Sequence, residues 1–562
     1  MIDLRSKPFY LDDEGIKWVD FTLIRMSPEE KVGQLFCVTV YNADDAELDG
    51  FYKILKPGAC MYRALPKEQA VKFGNLLRSR ADVPMLIAAN LEKGGNGIVE
   101  EGTLVGSHME VAATDDVSMA EKMAIVCAEE GKAVGANWAF APVIDIDYNF
   151  RNPITNTRTF GSDPERVKQM GLAYTKTVQE HGMAATIKHF PGDGVDERDQ
   201  HLVTSVNTLS CEDWDATFGK VYRACIDAGA MTCMTGHIML PSWTKKLNPD
   251  IGDGDILPCS LSKELMTGLL REELGFNGLI ITDATTMAGY TMAMSRKDAV
   301  PVSIAAGADM FLFTRNLEED YGFMLDGVNN NTITAERLDE AVTRILALKA
   351  ALGLHRVQKP LSIDEANTIV GCALHKQWAQ ECADKAITLV KEQKGVLPLS
   401  PEKYRKILFY PLESAGGFFA VKEACHKVAE KLGALGFEVD VFKPSQGMEG
   451  RADKTSSVVG VYDLILYVAN LATKSNQTTV RIEWAQPMGA NCGHYINDVP
   501  TVFVSLENPY HLLDFPRAKI FINCYSNNDS VIDSLIEKLM GKSDFKGINP
   551  VDPFCGKWDA TL

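Results

Sequence analysis

Short apolar, β-branched runs alternate with longer segments of helical period through the first 350 residues. The runs are 33–40, 59–63, 85–90, 138–145, 184–190, 231–237, 279–283 and 310–314. Between them, stretches such as 118–134, 163–181 and 262–274 repeat their apolar positions at 3.6-residue spacing. Eight strand-like runs separated by helical patterns predict a (β/α)8 TIM-type barrel over residues 1–353, closed by a helix over 334–352. Residues 354–374, a mixed polar stretch with Pro360, read as a linker. From 375 to 562 a second alternation begins. A helix is expected over 377–389, strands over 406–411, 438–442, 463–469, 501–505 and 518–524, and a last helix over 530–540. That pattern predicts a three-layer α/β/α sandwich.

Composition narrows the function classes. The 562 residues are 46% hydrophobic and 23% charged, with a formal net charge of −18. Such an acidic chain lacks the clustered Lys and Arg that a phosphate backbone requires, so no nucleic-acid partner is expected. No apolar run reaches the roughly 18–20 residues of a membrane span. Residues 1–16 contain no apolar signal-peptide core, and the 13 cysteines are scattered without a C-x-x-C pair. Buried free thiols in a reducing, cytoplasmic compartment are expected.

The chemistry gathers at predicted strand ends. Lys188 and His189 close the fifth run and open into Phe190-Pro-Gly-Asp-Gly194, followed by Asp199-Gln-His201. A carboxylate beside an imidazole orients the ring and raises its basicity, which suits proton transfer near neutral pH. Asp283 ends the seventh run after Ile-Ile-Thr; an acidic group there is costly unless paired or functional, the plain alternative being a helix cap. Adjacent strand residues point to opposite sides, so Lys188 and His189 share one mouth only if the strand bends, as Pro191 and Gly192 allow. Asp145 ends the fourth run and is placed to hold a loop arginine. Arg158, in Arg-Thr-Phe-Gly, is a candidate donor to sugar hydroxyls, or a loop ion pair. His189, His201 and His237 at strand ends raise a metal site, but no H-x-H or H-E-x-x-H spacing occurs and Lys188 would repel a cation; no metal or other cofactor is expected. Gly416-Gly417 is read as a plain turn rather than a phosphate loop.

These motifs together resemble glycoside hydrolase family 3, in its bacterial β-N-acetylglucosaminidase branch with a C-terminal domain. Carrying the resemblance are Lys188-His-Phe-Pro-Gly with Asp199-x-His201, Ala141-Pro-Val-Ile-Asp145, Arg158-Thr-Phe-Gly and Ile281-Thr-Asp283. The opening Met26-Ser-Pro-Glu-Glu-Lys and the stretch from Ala386 to Leu399 extend it over nearly the whole chain. The resemblance implies that Asp283 is the nucleophile and His201, oriented by Asp199, the general acid/base. It also implies that Arg158, Lys188 and His189 bind the sugar. Two positions depart from the family pattern: Asn90 stands where the third strand usually ends in Asp, and Asp193 where the glycine loop usually carries His.

The implied activity is a retaining exo-β-N-acetylglucosaminidase, removing terminal β-GlcNAc from chitin oligosaccharides or peptidoglycan fragments. Phosphorolysis with the same residues is the near alternative, because a neutral imidazole does not repel phosphate as a carboxylate base would. A non-catalytic sugar-binding protein is the distant one. Trp484, in a connection long for a tight turn, is a candidate to stack on the leaving-group sugar, with interdomain packing the equal alternative. A monomer or homodimer is expected.

Overall fold

Parallel strands buried on both faces need unbroken apolar runs, and each of the eight runs becomes a barrel strand. The computed structural model describes residues 2–413, 423–443, 454–471, 475–476, 478–485 and 489–562; the Gly416-Gly417 turn lies outside them. The strands are Phe36–Val40, Ala59–Tyr62, Leu86–Ala89, Trp138–Ala139, Ala184–Phe190, Thr232–Thr235, Leu279–Thr282 and Phe311–Leu312. They pair in chain order, and the eighth pairs with the first through Phe36 against Phe311 and Cys37 against Leu312. A parallel bridge between Ile281 and Met310 closes the remaining seam. The predicted closing helix is present as Ala335–Ala351.

Most strands are shorter than their apolar runs. The fourth pairs only over Trp138–Ala139 before Pro142, which has no N–H to donate, and resumes as a bridge between Val143 and Lys188. In the barrel interior the fully buried Trp138 donates its indole N–H to Thr186 and Thr232 Oγ1, both at 2.9 Å. That satisfies a polar group that would otherwise be buried at a cost. At the seventh–eighth seam, buried Asp309 accepts the Ile280 N–H at 2.9 Å and pairs with Arg271 at 2.5 Å and Arg337 at 2.8 Å. Burial pushes its carboxyl up, but Arg271, Arg344 and Arg337 outweigh this and hold it below the ordinary range.

The chain divides into two compact units that interleave in sequence. The first comprises 1–104, 120–149 and 164–376; the second comprises 105–119, 150–163 and 377–562. This differs from a division by chain position into 1–353, 354–374 and 375–562. Residues 354–374 belong to the first unit and contain the helix Ile363–Ile369, while two excursions from the barrel segment join the second.

The second unit holds a six-stranded sheet. Its order is Thr388–Lys391, Phe521–Asn523, Thr501–Ser505, Leu464–Asn470, Lys406–Glu413 and Glu438–Val441. Five strands were expected. The sixth, Thr388–Lys391, is an antiparallel edge strand that begins within the last two residues of the span expected to be helical; the helix is Ala373–Ala386. Thr388 and Val390 are β-branched and favour the pleated conformation once a neighbouring strand is there. One sheet face packs against the helices Ala424–Ala434 and Asp529–Leu539. Among the described residues, the other face is covered by irregular chain and short 3-10 turns, with Val458, Leu512 and Phe515 in its core. No described helix is long and apolar enough to cross a membrane, and all 13 cysteines are free, most of them buried.

Candidate active site

The mouth at the C-terminal ends of the barrel strands collects the predicted groups. The fifth strand presents both Lys188 and His189 inward. Its register against the sixth slips by one residue, Ile187 facing Cys233 and Phe190 facing Thr235, a bulge of the kind that re-aims side chains. Lys188 Nζ pairs with Glu92 Oε1 at 2.7 Å, with little of either side chain exposed. His189 Nδ1 lies 2.7 Å from Asp145 Oδ2, and its Nε2 lies 4.0 Å from Asp283 Oδ2.

Asp145 was expected to hold a loop arginine. Its carboxylate is instead spent on the fifth strand, accepting the backbone N–H groups of His189 at 3.0 Å and Asp193 at 2.8 Å besides the ring. A carboxylate can only accept, so Nδ1 of His189 carries the hydrogen and Nε2 faces the mouth.

Asp283 follows the last residue of the seventh strand and is buried. Its backbone N–H donates to Thr235 O at 2.8 Å, and one side-chain oxygen accepts the Ala284 N–H at 2.7 Å. Burial alone would push its carboxyl up. The imidazoles of His189, His237 and His201 and the Ala284 N–H outweigh that and hold it below the ordinary carboxylate range. A buried carboxylate kept ionised, with one oxygen fixed and the other toward the mouth, is equipped to act as a nucleophile.

His201 Nδ1 lies 2.7 Å from Asp199 Oδ1, which also accepts the His201 N–H at 2.8 Å. Asp199 is buried and the imidazole partly exposed, so the free Nε2 edge is reachable by substrate. The His201 carbonyl accepts the Ala288 N–H at 3.0 Å, setting this loop beside the one that follows Asp283.

His237 is committed elsewhere. Its Nδ1 accepts from Ser260 Oγ at 2.8 Å and its Nε2 donates to Ala284 O at 3.0 Å. Burial lowers its pKa, and the nearby Asp283 charge opposes this only in part. His237 thus buttresses the backbone next to Asp283.

Asn90 follows the third strand and is exposed there. Glu92, two residues on, is the group sequence reasoning missed; its only signal was a carboxylate before the glycines of Leu91-Glu-Lys-Gly-Gly. Arg158 belongs to the second unit, on the turn Asn156–Arg158. Trp484 also lies in that unit, partly buried, its ring 6.1 Å from Phe515 at the margin of the sheet core. A cavity of about 570 Å³ lies at the opposite barrel end, bordered by Gln34, Pro57 and Met85 just ahead of the first three strands.

Comparison with known proteins shows likeness over most of the chain. The Glycosyl hydrolase family 3 N terminal domain covers residues 29–348. A Cellulomonas fimi protein named beta-N-acetylglucosaminidase/beta-glucosidase is 52% identical over 565 residues, spanning 100% of each chain. A solved structure titled beta-glucoside phosphorylase BglX superposes with a TM-score of 0.94 at 46% identity, covering 99% of both chains. A glycoside hydrolase family 3 beta-N-acetylglucosaminidase from Paenibacillus sp. str. FPU-7 gives 0.79 at 25% identity, covering 94% of this chain and 99% of its own. By the domain match and the full-length relative, the chain belongs to glycosyl hydrolase family 3.

Proposed function

We propose that this family 3 glycosidase cleaves β-glycosides with retention, taking a terminal β-N-acetylglucosaminyl residue by double displacement. The observation that carries the reading is an ionised, buried Asp283 sharing a mouth with a carboxylate-held imidazole, His201. Asp283 attacks the anomeric carbon while the bond to the leaving oxygen breaks, and His201 Nε2–H protonates that oxygen. In the second step water attacks the same carbon, His201 Nε2 takes its proton, and the bond to Asp283 breaks. Asp199 stabilises the imidazolium through Nδ1. Lys188 offers N–H donors to sugar hydroxyls, and His189 presents its Nε2 to them. Asn90, at the end of the third strand, is assigned as an uncharged partner, which suits a glycone held with less charge assistance. Arg158 is assigned to the sugar on its motif, and Trp484 to the leaving-group sugar as a hypothesis that its packing on Phe515 does not require.

The glycone reading draws on the two relatives named for N-acetylglucosaminidase activity, one of which is also named for glucosidase activity. Chitin oligosaccharides or peptidoglycan fragments fit a cytoplasmic enzyme with free thiols.

Phosphate in place of water is the second reading. It is favoured by the imidazole acid/base, which presents no fixed negative charge to an incoming anion, and by the phosphorylase similar to this chain. The test is p-nitrophenyl β-N-acetylglucosaminide and the corresponding β-glucoside, each with and without phosphate, the first sugar product identified by NMR. Free β-sugar in both conditions supports retaining hydrolysis. A sugar 1-phosphate dominating when phosphate is present moves the enzyme to phosphorolysis, and an α-configured first product from water sinks the double displacement.

A further inference from the structure

The Asp199–His201 dyad sits on the chain that leaves the fifth strand through Gly192 and Gly194, at φ of 117° and 106°. Glycines in that region give such a connection wide freedom, yet proton transfer needs a fixed imidazole. Here the loop is fastened, and the fastener is the residue between the two dyad members.

Gln200 is 2% exposed. Its Nε2 donates to Asp193 Oδ2 at 3.1 Å and its Oε1 accepts the His237 N–H at 2.8 Å. The Gln200 carbonyl accepts the Gly289 N–H at 3.2 Å. One side chain therefore links the glycine loop to the end of the sixth strand, and its backbone meets the helix after Asp283.

The chemistry of the fit is specific. A carboxylate can only accept and a backbone N–H can only donate, so a primary amide in a single orientation satisfies both. The walls are cut for it. A Cβ on Gly236 would stand 3.0 Å from Gln200 Oε1, and one on Gly289 2.4 Å from Gln200 O. Asp193, one of the two departures from the family pattern, supplies the acceptor, and its own N–H is held by Asp145, the carboxylate that orients His189.

We infer that the Asp193–Gln200–His237 hydrogen bonds lock the Asp199–His201 loop in its proton-transferring position, making Gln200 a positioning residue for the acid/base. The inference rests on the double-displacement reading. Losing the Gln200 amide would cost the buried Asp193 carboxylate one of its hydrogen bonds and the His237 N–H its acceptor, which would favour any loop position in which water reaches them.

The test is Gln200→Leu, assayed as kcat/KM on phenyl and 2,4-dinitrophenyl β-glycosides of the accepted sugar. Departure of phenoxide needs protonation by His201; departure of dinitrophenoxide does not. The variant is expected to lose roughly 10²-fold on the phenyl glycoside and under about threefold on the dinitrophenyl one. Azide added to the dinitrophenyl reaction should raise turnover and yield a β-glycosyl azide, as expected when the second-step base is displaced. Asp193→Ala, which breaks the lock from its other end, should give the same pattern and covers the case in which Gln200→Leu fails to fold. His201→Ala is the control. Equal losses on both substrates, with His201→Ala still discriminating, overturn the lock alone. If His201→Ala does not discriminate either, the acid/base assignment falls and the lock with it.

Discussion

Asp283, the proposed nucleophile, shows how far a side chain's state is made by its surroundings. A carboxyl buried at a strand end would ordinarily take up a proton, and it is the neighbouring imidazoles that keep it ionised. Lys188 is likewise buried, its Nζ paired with Glu92 Oε1 rather than left to solvent. For the acid/base, Asp199 does for His201 what Asp145 does for His189, fixing which ring nitrogen faces the sugar. Asp199→Asn places an amide against Nδ1 and removes the charge that stabilises the imidazolium. The expected loss in kcat is roughly 10²–10⁴-fold on a p-nitrophenyl glycoside, with little change in the thermal midpoint. A loss under tenfold would count against proton transfer through His201. Asp199, His201 and Asp283 were legible because each lies at a strand end or beside its partner in sequence. Glu92 and Gln200 were not, because their partners Lys188 and His237 lie on or just after strands distant in sequence.

At the scale of elements, the short helix Ala288–Thr291 ties the loop of the proposed nucleophile to that of the proposed acid/base. It begins five residues after Asp283, and its first two N–H groups are taken by the carbonyls of His201 and Gln200. Thr204 Oγ1 returns the tie by donating to Gly289 O at 2.8 Å. Gly289→Ala would put a Cβ 2.4 Å from Gln200 O and 2.9 Å from Val203 O, both backbone atoms that cannot rotate away. Overpacking of this kind costs about 1–3 kcal/mol and would shift the dyad. The expected result is a fall in kcat of more than about tenfold at a midpoint lowered by only a few degrees. Unchanged kcat would show that the helix can move without carrying the loop. Elsewhere, element type followed the apolar period, whereas ends followed local chemistry. Pro142 shortens the fourth strand, and Thr388–Lys391 became a strand because Phe521–Asn523 offers it an edge.

At the scale of the molecule, the first unit buries a lysine that takes no part in the site. Lys349, on the closing helix, is fully buried, and its Nζ donates to Gln34 Oε1 at 2.6 Å. Burial drops its pKa from 10.5 to about 7. Between those two values the unfolded chain holds a proton the folded one lacks, so stability climbs as pH rises from about 7 toward 10.5. Below that window both states are charged and the burial penalty is carried in full. Lys349→Met should therefore raise the thermal midpoint at pH 7, and the gain should shrink as the pH is raised toward 10. A midpoint difference that is flat with pH would place the ammonium in a better-solvated setting than its burial indicates.

What the sequence determined by itself was whatever rests on periodicity and on neighbours in the chain. Eight apolar runs alternating with helical ones specify eight parallel strands, since only a sheet covered on both faces buries such runs. Lys188-His189, Asp199-x-His201 and Asp283 sit at or just after the ends of those runs, so the groups proposed for the site could be named from the sequence. Tertiary structure alone decided the rest. It set residues 105–119 and 150–163 with the C-terminal unit, spent Asp145 on His189, gave Lys188 its carboxylate, and fastened the acid/base loop through Gln200. Each of these is a contact between segments far apart in the chain. Its free energy comes from burial and from pairing polar groups in the interior, neither of which exists until the barrel has closed.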